Sequence, residues 1–173
     1  MTGSSGNLSF RLDEDRVVCT PSGVSLRNLH PRDLVITDLH GVPQDAAQRP
    51  TSELPLHLCA YRARPDVRAV IHSHPTFCVV WSKFGTVFAR DTVGARETLR
   101  DVAFPPFRPA GSAALAQVCA DAFAAGSDNV LMEAHGLSCI AATFEEAFVQ
   151  TDLCEEAARI AWYSRVAGVE APA

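Results

Sequence analysis

Two histidines two positions apart, His72 and His74, follow the apolar residues 69–71. On an extended segment, residues two apart point to the same side, so both imidazoles can converge on one point in space. Neutral imidazole is the commonest protein ligand for a catalytic transition metal, and Zn²⁺ is the metal it most often holds. The pair therefore predicts part of a metal site, which needs a third ligand and an acid or base from elsewhere in the chain.

The candidate third ligand is His135, which directly follows a predicted strand and precedes Gly136. Two ligands close in sequence and one distant ligand are a common arrangement in catalytic zinc sites, where one coordination position stays open for substrate. Each histidine could instead be a lone structural residue whose ring is hydrogen-bonded in the core. The residues alone leave both interpretations open.

Glu53 is the candidate acid or base, because a carboxylate buried near a metal can have its pKa raised into a useful range. It begins a predicted helix, where a glutamate is also favoured by the helix dipole alone. His57 lies one turn later on the same helix face, and it either orients Glu53 or simply packs.

Thr51 and Ser52 lie at the start of this helix. Their hydroxyls and backbone N–H groups are suited to binding an anion such as phosphate. The alternative is that either residue only caps the helix. Two turn-like segments, residues 3–7 and 20–23, are rich in small and hydroxyl residues of the same kind. Such segments are most often ordinary turns.

Hydrophobic periodicity and capping residues indicate a mostly antiparallel sheet between helices, an α/β fold. Strands are predicted at residues 8–12, 17–20, 34–37, 67–72, 130–132 and 137–140, the last continuing the one before it past a bend at Gly136. Helices are predicted at residues 53–63, at 75–83, after a cap at Ser112, and after a capping box that begins at Thr143. A stripe on the last helix, containing Ala147, Cys154, Ala158 and Ala161, could pack on another subunit or on the chain's own sheet.

The composition fits one globular domain over residues 1–173, with 47% hydrophobic residues. The net charge of −5 argues against a nucleic-acid partner, and no apolar stretch approaches the ~20 residues that cross a bilayer. The six cysteines form no Cys-x-x-Cys pair. With no export signal at the N-terminus, they are expected to be buried free thiols in a reducing cytoplasm.

Five short motifs in a fixed order resemble the class II aldolase/adducin family, which is typified by the L-fuculose-phosphate aldolases. They are Gly-Asn-Leu-Ser at 6–9, Thr-Pro-Ser-Gly at 20–23, Thr-Ser-Glu at 51–53, His-Ser-His at 72–74 and His-Gly at 135–136. The resemblance covers roughly residues 3–165, which is nearly the whole chain.

The resemblance implies an α/β/α arrangement around a mainly antiparallel sheet, in homotetramers with sites at subunit interfaces. It implies a zinc site with His72, His74 and His135 as ligands, which Mn²⁺, Co²⁺ or Fe²⁺ could also fill. It implies Glu53 as the acid/base. The phosphate cradle that it implies consists of Asn7, Ser22, Gly23, Thr51 and Ser52.

The activity that the resemblance implies is cleavage of a phosphorylated keto sugar by retro-aldol chemistry through a metal-stabilised enediolate. Two departures from the family are visible. Its first helix is missing before residue 3, and no tyrosine occurs near residues 88–93, where aldolases of this type place one from a neighbouring subunit. The second departure favours the sister reactions, decarboxylation of a sugar-acid phosphate or dehydration of a keto-pentose phosphate. A non-catalytic adducin-like scaffold and a metal-binding protein without catalysis are the remaining alternatives.

Overall fold

A seven-stranded sheet organises residues 6–169, which are the residues described in the computed structural model. Its strand order is β3-β2-β1-β4-β7-β6-β5, and every neighbouring pair is antiparallel except β5 and β6. The strands are β1 Asn7–Arg11, β2 Arg16–Cys19, β3 Val35–Asp38, β4 Ala69–Ser73, β5 Val102–Ala103, β6 Asn129–Met132 and β7 Gly136–Ala141. The predicted mainly antiparallel sheet is confirmed. The expectation about the family's first helix, and residues 3–5 of the predicted turn, lie outside the described residues.

Helices cover both faces of this sheet, as the α/β/α prediction requires. The described residues form α1 Leu54–Ala63, α2 Thr76–Ser82, α3 Val93–Thr98, α4 Ala113–Ala124 and α5 Phe144–Ala167, with 3-10 turns at Leu26–Asn28 and Pro31–Asp33. On one face, the side chains of Val70 and Ile140 pack against α1 and α4, with Phe123 fully buried between them. On the other face, Leu137 and Cys139 pack against α2 and α5. These apolar layers hold β4 and β7 in the centre of the molecule.

Side-chain caps begin two of the helices where the sequence predicted them. The hydroxyl of Ser112 accepts a hydrogen bond from the N–H of Leu115, and the hydroxyl of Thr143 accepts one from the N–H of Glu146. The start of α1 differs from the prediction, because its cap position is Glu53 and neither Thr51 nor Ser52 occupies it. The Thr51 hydroxyl instead accepts from the N–H of Glu53 itself, at 3.2 Å.

The predicted continuation of one strand past Gly136 is wrong. Residues 133–135 form a tight turn, and β7 runs back along β6 with Met132 opposite Gly136. Both strands are buried throughout, so their sequence lacks the alternation that would reveal a reversal. The turn puts His135 at one end of the central strands.

The small-residue stripe of α5 packs inside the chain. Ala147, Cys154, Ala158 and Ala161 are buried against the chain's own sheet and neighbouring helices. This outcome selects the intrachain alternative for that stripe. The six cysteines are free and buried, as predicted. Within residues 6–169, no helix combines the length and the apolar character needed to span a bilayer.

Candidate metal centre

Three histidine rings meet at one end of the central strands. His72 lies in β4, His74 follows the end of that strand, and His135 lies in the turn between β6 and β7. One ring nitrogen from each comes within 4.8 Å of the other two, and the Nε2 atoms of His72 and His74 are 3.0 Å apart. The strand order explains the meeting, since β4 and β7 are hydrogen-bonded neighbours. The sequence-predicted ligand set is therefore brought together.

The state of the His72 ring suits a metal ligand. Its Nδ1 lies 3.1 Å from the carbonyl oxygen of Leu137, which can only accept, so Nδ1 carries the hydrogen and Nε2 has a free lone pair. Burial lowers the pKa of His72 well below the usual range, and the neighbouring His135 and His74 lower it further. A backbone partner that fixes the ring is typical of metal-binding histidines.

The other two rings are also held neutral. Burial is the main cause that lowers the pKa values of His74 and His135, and His135 adds to the effect on His74. Among the described residues, the buried Nδ1 of His135 finds no hydrogen-bond partner. Three neutral imidazoles within ligand distance, one with an orphaned nitrogen, fit a transition metal ion such as zinc.

Gly136 leaves the space in which the rings meet. A Cβ atom there would lie 2.5 Å from the Ser73 carbonyl oxygen, 2.6 Å from Cδ2 of His74 and 3.3 Å from Cε1 of His72. Gly6 has a similar role on the other side of β4, because its Cβ would lie 2.7 Å from the His72 carbonyl oxygen. Sequence reasoning missed both roles. The available signal was the position of each glycine, one directly after His135 and one directly before Asn7.

Glu53 places a carboxylate beside the histidines. Its Oε1 lies 4.0 Å from Nε2 of His135, and only 9% of the residue is exposed. Burial raises the pKa of Glu53, whereas a hydrogen bond from the backbone N–H of Gly111 and the nearby His74 act in the opposite direction. Its Oε2 is buried and has no hydrogen-bond partner in the described part of the chain. Sequence reasoning did not identify Gly111, which takes a left-handed backbone with φ +69° close to this carboxylate.

Backbone hydrogen bonds align the three segments of the expected phosphate cradle. The N–H of Thr20 donates to the Leu8 carbonyl, and the N–H of Thr51 donates to the Thr20 carbonyl, both at 3.0 Å. Alongside them, the N–H of Ser22 donates to the Arg49 carbonyl, also at 3.0 Å. The cradle candidates therefore come from adjacent segments. Three of the five cradle candidates, Ser22, Gly23 and Ser52, are exposed. Asn7 is half-buried and Thr51 is buried.

His57 faces Asn7, which neither alternative for this residue anticipated. Its Nε2 lies 2.6 Å from Oδ1 of Asn7, and its Nδ1 lies 2.6 Å from the hydroxyl of Ser9. The ring is completely buried, and burial lowers the pKa of His57 to about 3. No hydrogen bond joins the ring to the side chain of Glu53 among the described residues.

Known proteins share this fold and are similar to this sequence over most of its length. Residues 1–162 match the family described as Class II Aldolase and Adducin N-terminal domain. An L-fuculose phosphate aldolase from Methanococcus maripaludis is 31% identical over 160 residues, covering 92% of this chain and 86% of that protein. A 3-oxo-tetronate 4-phosphate decarboxylase from Escherichia coli is 30% identical over 166 residues, covering 92% and 76%.

The fold comparison agrees with the sequence comparison. A solved structure of L-fuculose 1-phosphate aldolase matches with a TM-score of 0.90 and 28% sequence identity, covering 99% of this chain and 81% of that one. The histidine cluster and the adjacent carboxylate occur on the fold that these relatives share. The chain belongs to the class II aldolase and adducin family, as an enzyme of the class II aldolase type.

Proposed function

We propose that this chain is a zinc-dependent lyase that cleaves a phosphorylated keto sugar by retro-aldol chemistry. The observation that carries the proposal is the placement of Glu53 beside three neutral histidines, with Oε1 4.0 Å from Nε2 of His135. The names of relatives supply the substrate class, because they include aldolases of L-fuculose phosphate and of 5-deoxy-D-ribulose 1-phosphate.

His72, His74 and His135 are the residues that would hold the ion. A bound divalent ion supplies Lewis-acid stabilisation of the negative charge that develops on substrate oxygen. The chain's own contribution is to keep all three rings neutral by burial and to fix the His72 ring through the Leu137 carbonyl. Because the rings are neutral and the His72 ring is fixed before any ligand binds, the free-energy cost of reorganising the site during the reaction is smaller.

Glu53 would move the proton. In the cleavage direction, the hydroxyl on the carbon that becomes the aldehyde loses its proton to solvent, and the breaking carbon–carbon bond leaves its electron pair on the half of the substrate that keeps the ketone. The protonated Glu53 then delivers a proton to that carbon. Burial raises the pKa of Glu53, which favours the protonated form that this step needs. Oε2 is the oxygen that no described residue engages.

The cradle segments would bind the phosphate and so fix the reacting carbon. The exposed residues of the cradle are Ser22, Gly23 and Ser52. They lie on neighbouring segments that the backbone hydrogen bonds of Thr20 and Thr51 hold together. Asn7 adds a side-chain amide beside β4, opposite His72. Holding the phosphate at this end orients the rest of the sugar toward Glu53, and such orientation supplies much of an enzyme's rate enhancement.

Decarboxylation of a sugar-acid phosphate is the second candidate reaction. It needs the same proton donor for the carbon that loses CO₂, but no acid or base on an aldehyde fragment. The chain has no tyrosine in residues 88–93 to serve such a fragment. Similarity to the 3-oxo-tetronate 4-phosphate decarboxylase also supports this alternative.

We extend the proposal to a homotetramer in the cytoplasm. Exposed apolar side chains on α5, which include Phe148, Tyr163 and Val166, support an interface between subunits. Six free cysteines support a reducing compartment. Native mass spectrometry tests the assembly, and an active monomer would contradict it.

The test of the reaction is a substrate panel with the zinc-loaded chain. L-Fuculose 1-phosphate, 5-deoxy-D-ribulose 1-phosphate and 3-oxo-tetronate 4-phosphate are each incubated with it, and released three-carbon ketone phosphate, aldehyde and CO₂ are measured. Glu53→Gln should keep the zinc and lose turnover by about 10²-fold or more. The exposed Glu156→Gln is the matched control. Unchanged turnover in Glu53→Gln would reject Glu53 as the proton donor.

A further inference from the structure

A chain of buried polar side chains runs from Asn7 into the core between β1 and α1. Nε2 of His57 lies 2.6 Å from Oδ1 of Asn7, and Nδ1 of His57 lies 2.6 Å from the Ser9 hydroxyl. The Ser9 hydroxyl lies 2.7 Å from the hydroxyl of Tyr61. His57, Ser9 and Tyr61 are each at most 1% exposed. None of these three residues has a part in the proton transfer proposed above.

With Oδ1 of Asn7 facing the His57 ring, the hydrogen bonds in this chain run in one direction. An amide oxygen only accepts, so the hydrogen on the His57 ring is at Nε2 and points to Asn7. Nδ1 of the neutral ring is then an acceptor, and the Ser9 hydroxyl donates to it. The Ser9 oxygen in turn accepts from Tyr61, whose single hydroxyl hydrogen faces two acceptors, the Ser9 oxygen at 2.7 Å and the more distant Arg68 carbonyl at 3.3 Å.

This direction decides which end of the Asn7 amide is available to a ligand. Because His57 engages Oδ1, the two hydrogens on Nδ2 remain for other partners. Asn7 is half-buried and lies opposite His72 in the β1–β4 pair, so both side chains leave the same face of the sheet. An amide turned by 180° would present its oxygen to a bound anion, and the two would repel each other.

We propose that His57 is a positioning residue that locks the Asn7 amide with Nδ2 toward the substrate, so that this position donates hydrogen bonds to a phosphate oxygen. The inference rests on the proposed function, because it concerns the phosphate end of the same site. It assigns His57 a role in phosphate binding that is separate from the acid–base role of Glu53.

Phosphate affinity of the zinc-loaded chain tests the proposal, with inorganic phosphate as the probe in isothermal titration calorimetry. His57→Leu keeps the volume and removes the donor, and phosphate binding should weaken by about tenfold or more. His57→Gln can still donate to Asn7 and should stay within about threefold of the wild type. With an active substrate, the KM of His57→Leu should rise by a larger factor than kcat falls, and zinc content should not change.

An Asn7→Ala background separates positioning from a general structural effect. There His57→Leu should cause no further loss of phosphate affinity, because the group it positions is gone. A loss of the same size in both backgrounds would overturn the proposal, and so would unchanged phosphate affinity in His57→Leu. Failure of the wild type to bind phosphate would overturn the phosphate site and this inference together.

The tautomer of His57 gives a test that does not depend on how any variant folds. Nitrogen-15 NMR of the wild-type chain should show His57 as a neutral ring with its hydrogen on Nε2, protected from exchange by burial. A ring with its hydrogen on Nδ1 would leave Asn7 Oδ1 without a donor. That result would overturn the proposal.

Discussion

Gly136→Ala tests whether space at the end of β7 controls metal binding. The added Cβ would lie 2.5 Å from the Ser73 carbonyl oxygen and 2.6 Å from Cδ2 of His74. Ordinary contacts between such atoms are near 3.5 Å, so the strand end or the ring must move by roughly 0.9 Å. Metal sites tolerate only about 0.2 Å in ligand distance. We therefore expect zinc affinity to fall by about 100-fold and the free energy of unfolding by about 1–3 kcal/mol.

The assay is competition for zinc with a chelator of known affinity, together with urea unfolding in the presence of EDTA. Gly94→Ala is the matched control, because a Cβ at Gly94 has nothing within 4 Å. It should leave zinc affinity unchanged and stability the same or slightly higher, since alanine is favoured over glycine in a helix. Wild-type zinc affinity in Gly136→Ala would refute the steric reasoning.

Three further predictions concern stability, each measured by urea unfolding. Phe123→Ala empties a fully buried position between α1, α4 and the sheet, and should cost about 3–5 kcal/mol. Glu155→Ala removes the carboxylate that accepts from two N–H groups at the start of α2, and should cost about 1–3 kcal/mol, whereas the exposed Glu156→Ala should cost little. Burial lowers the pKa of His57 from 6.5 to about 3, so the unfolded chain takes up a proton that the folded chain refuses between these values. The contribution of His57 to the free energy of unfolding is then complete above pH 6.5. It falls by about 1.4 kcal/mol per pH unit between pH 6.5 and about 3. His57→Gln should remove this part of the pH dependence. If the free energy of unfolding of His57→Gln had the same pH dependence as that of the wild type, the lowered pKa of His57 would be contradicted.

Local chemistry made part of the fold predictable. The caps at Ser112 and Thr143 depend on one side-chain oxygen and an N–H three residues later, so the sequence is sufficient to find them. Pairing between distant segments is different. β5 is a two-residue strand that exists because it lies along β6, and α3 buries only Ala95, so neither has a pattern to detect. The turn after Met132 was missed because β6 and β7 are buried throughout, so their sequence shows no alternation that would mark the reversal.

The same distinction applies to the site: some of its residues can be identified from local sequence, and others are brought together only by long-range folding. The spacing of His72 and His74 identified a candidate pair, and the chain does bring His135 to them. The partner of His57 could not be found from the sequence, because Asn7 lies 50 positions away. The same holds for Gly111, whose N–H contacts Glu53 only because the loop before α4 folds over the start of α1.

Metal content is the most direct test of the central claim that His72, His74 and His135 hold one divalent ion. The wild-type chain and the three single alanine variants are loaded with zinc, dialysed and analysed by mass spectrometry for metal per chain. The wild type should retain one ion, Glu53→Gln should also retain it, and each histidine variant should lose it. A wild type without bound zinc, or histidine variants that keep a full equivalent, would contradict the claim.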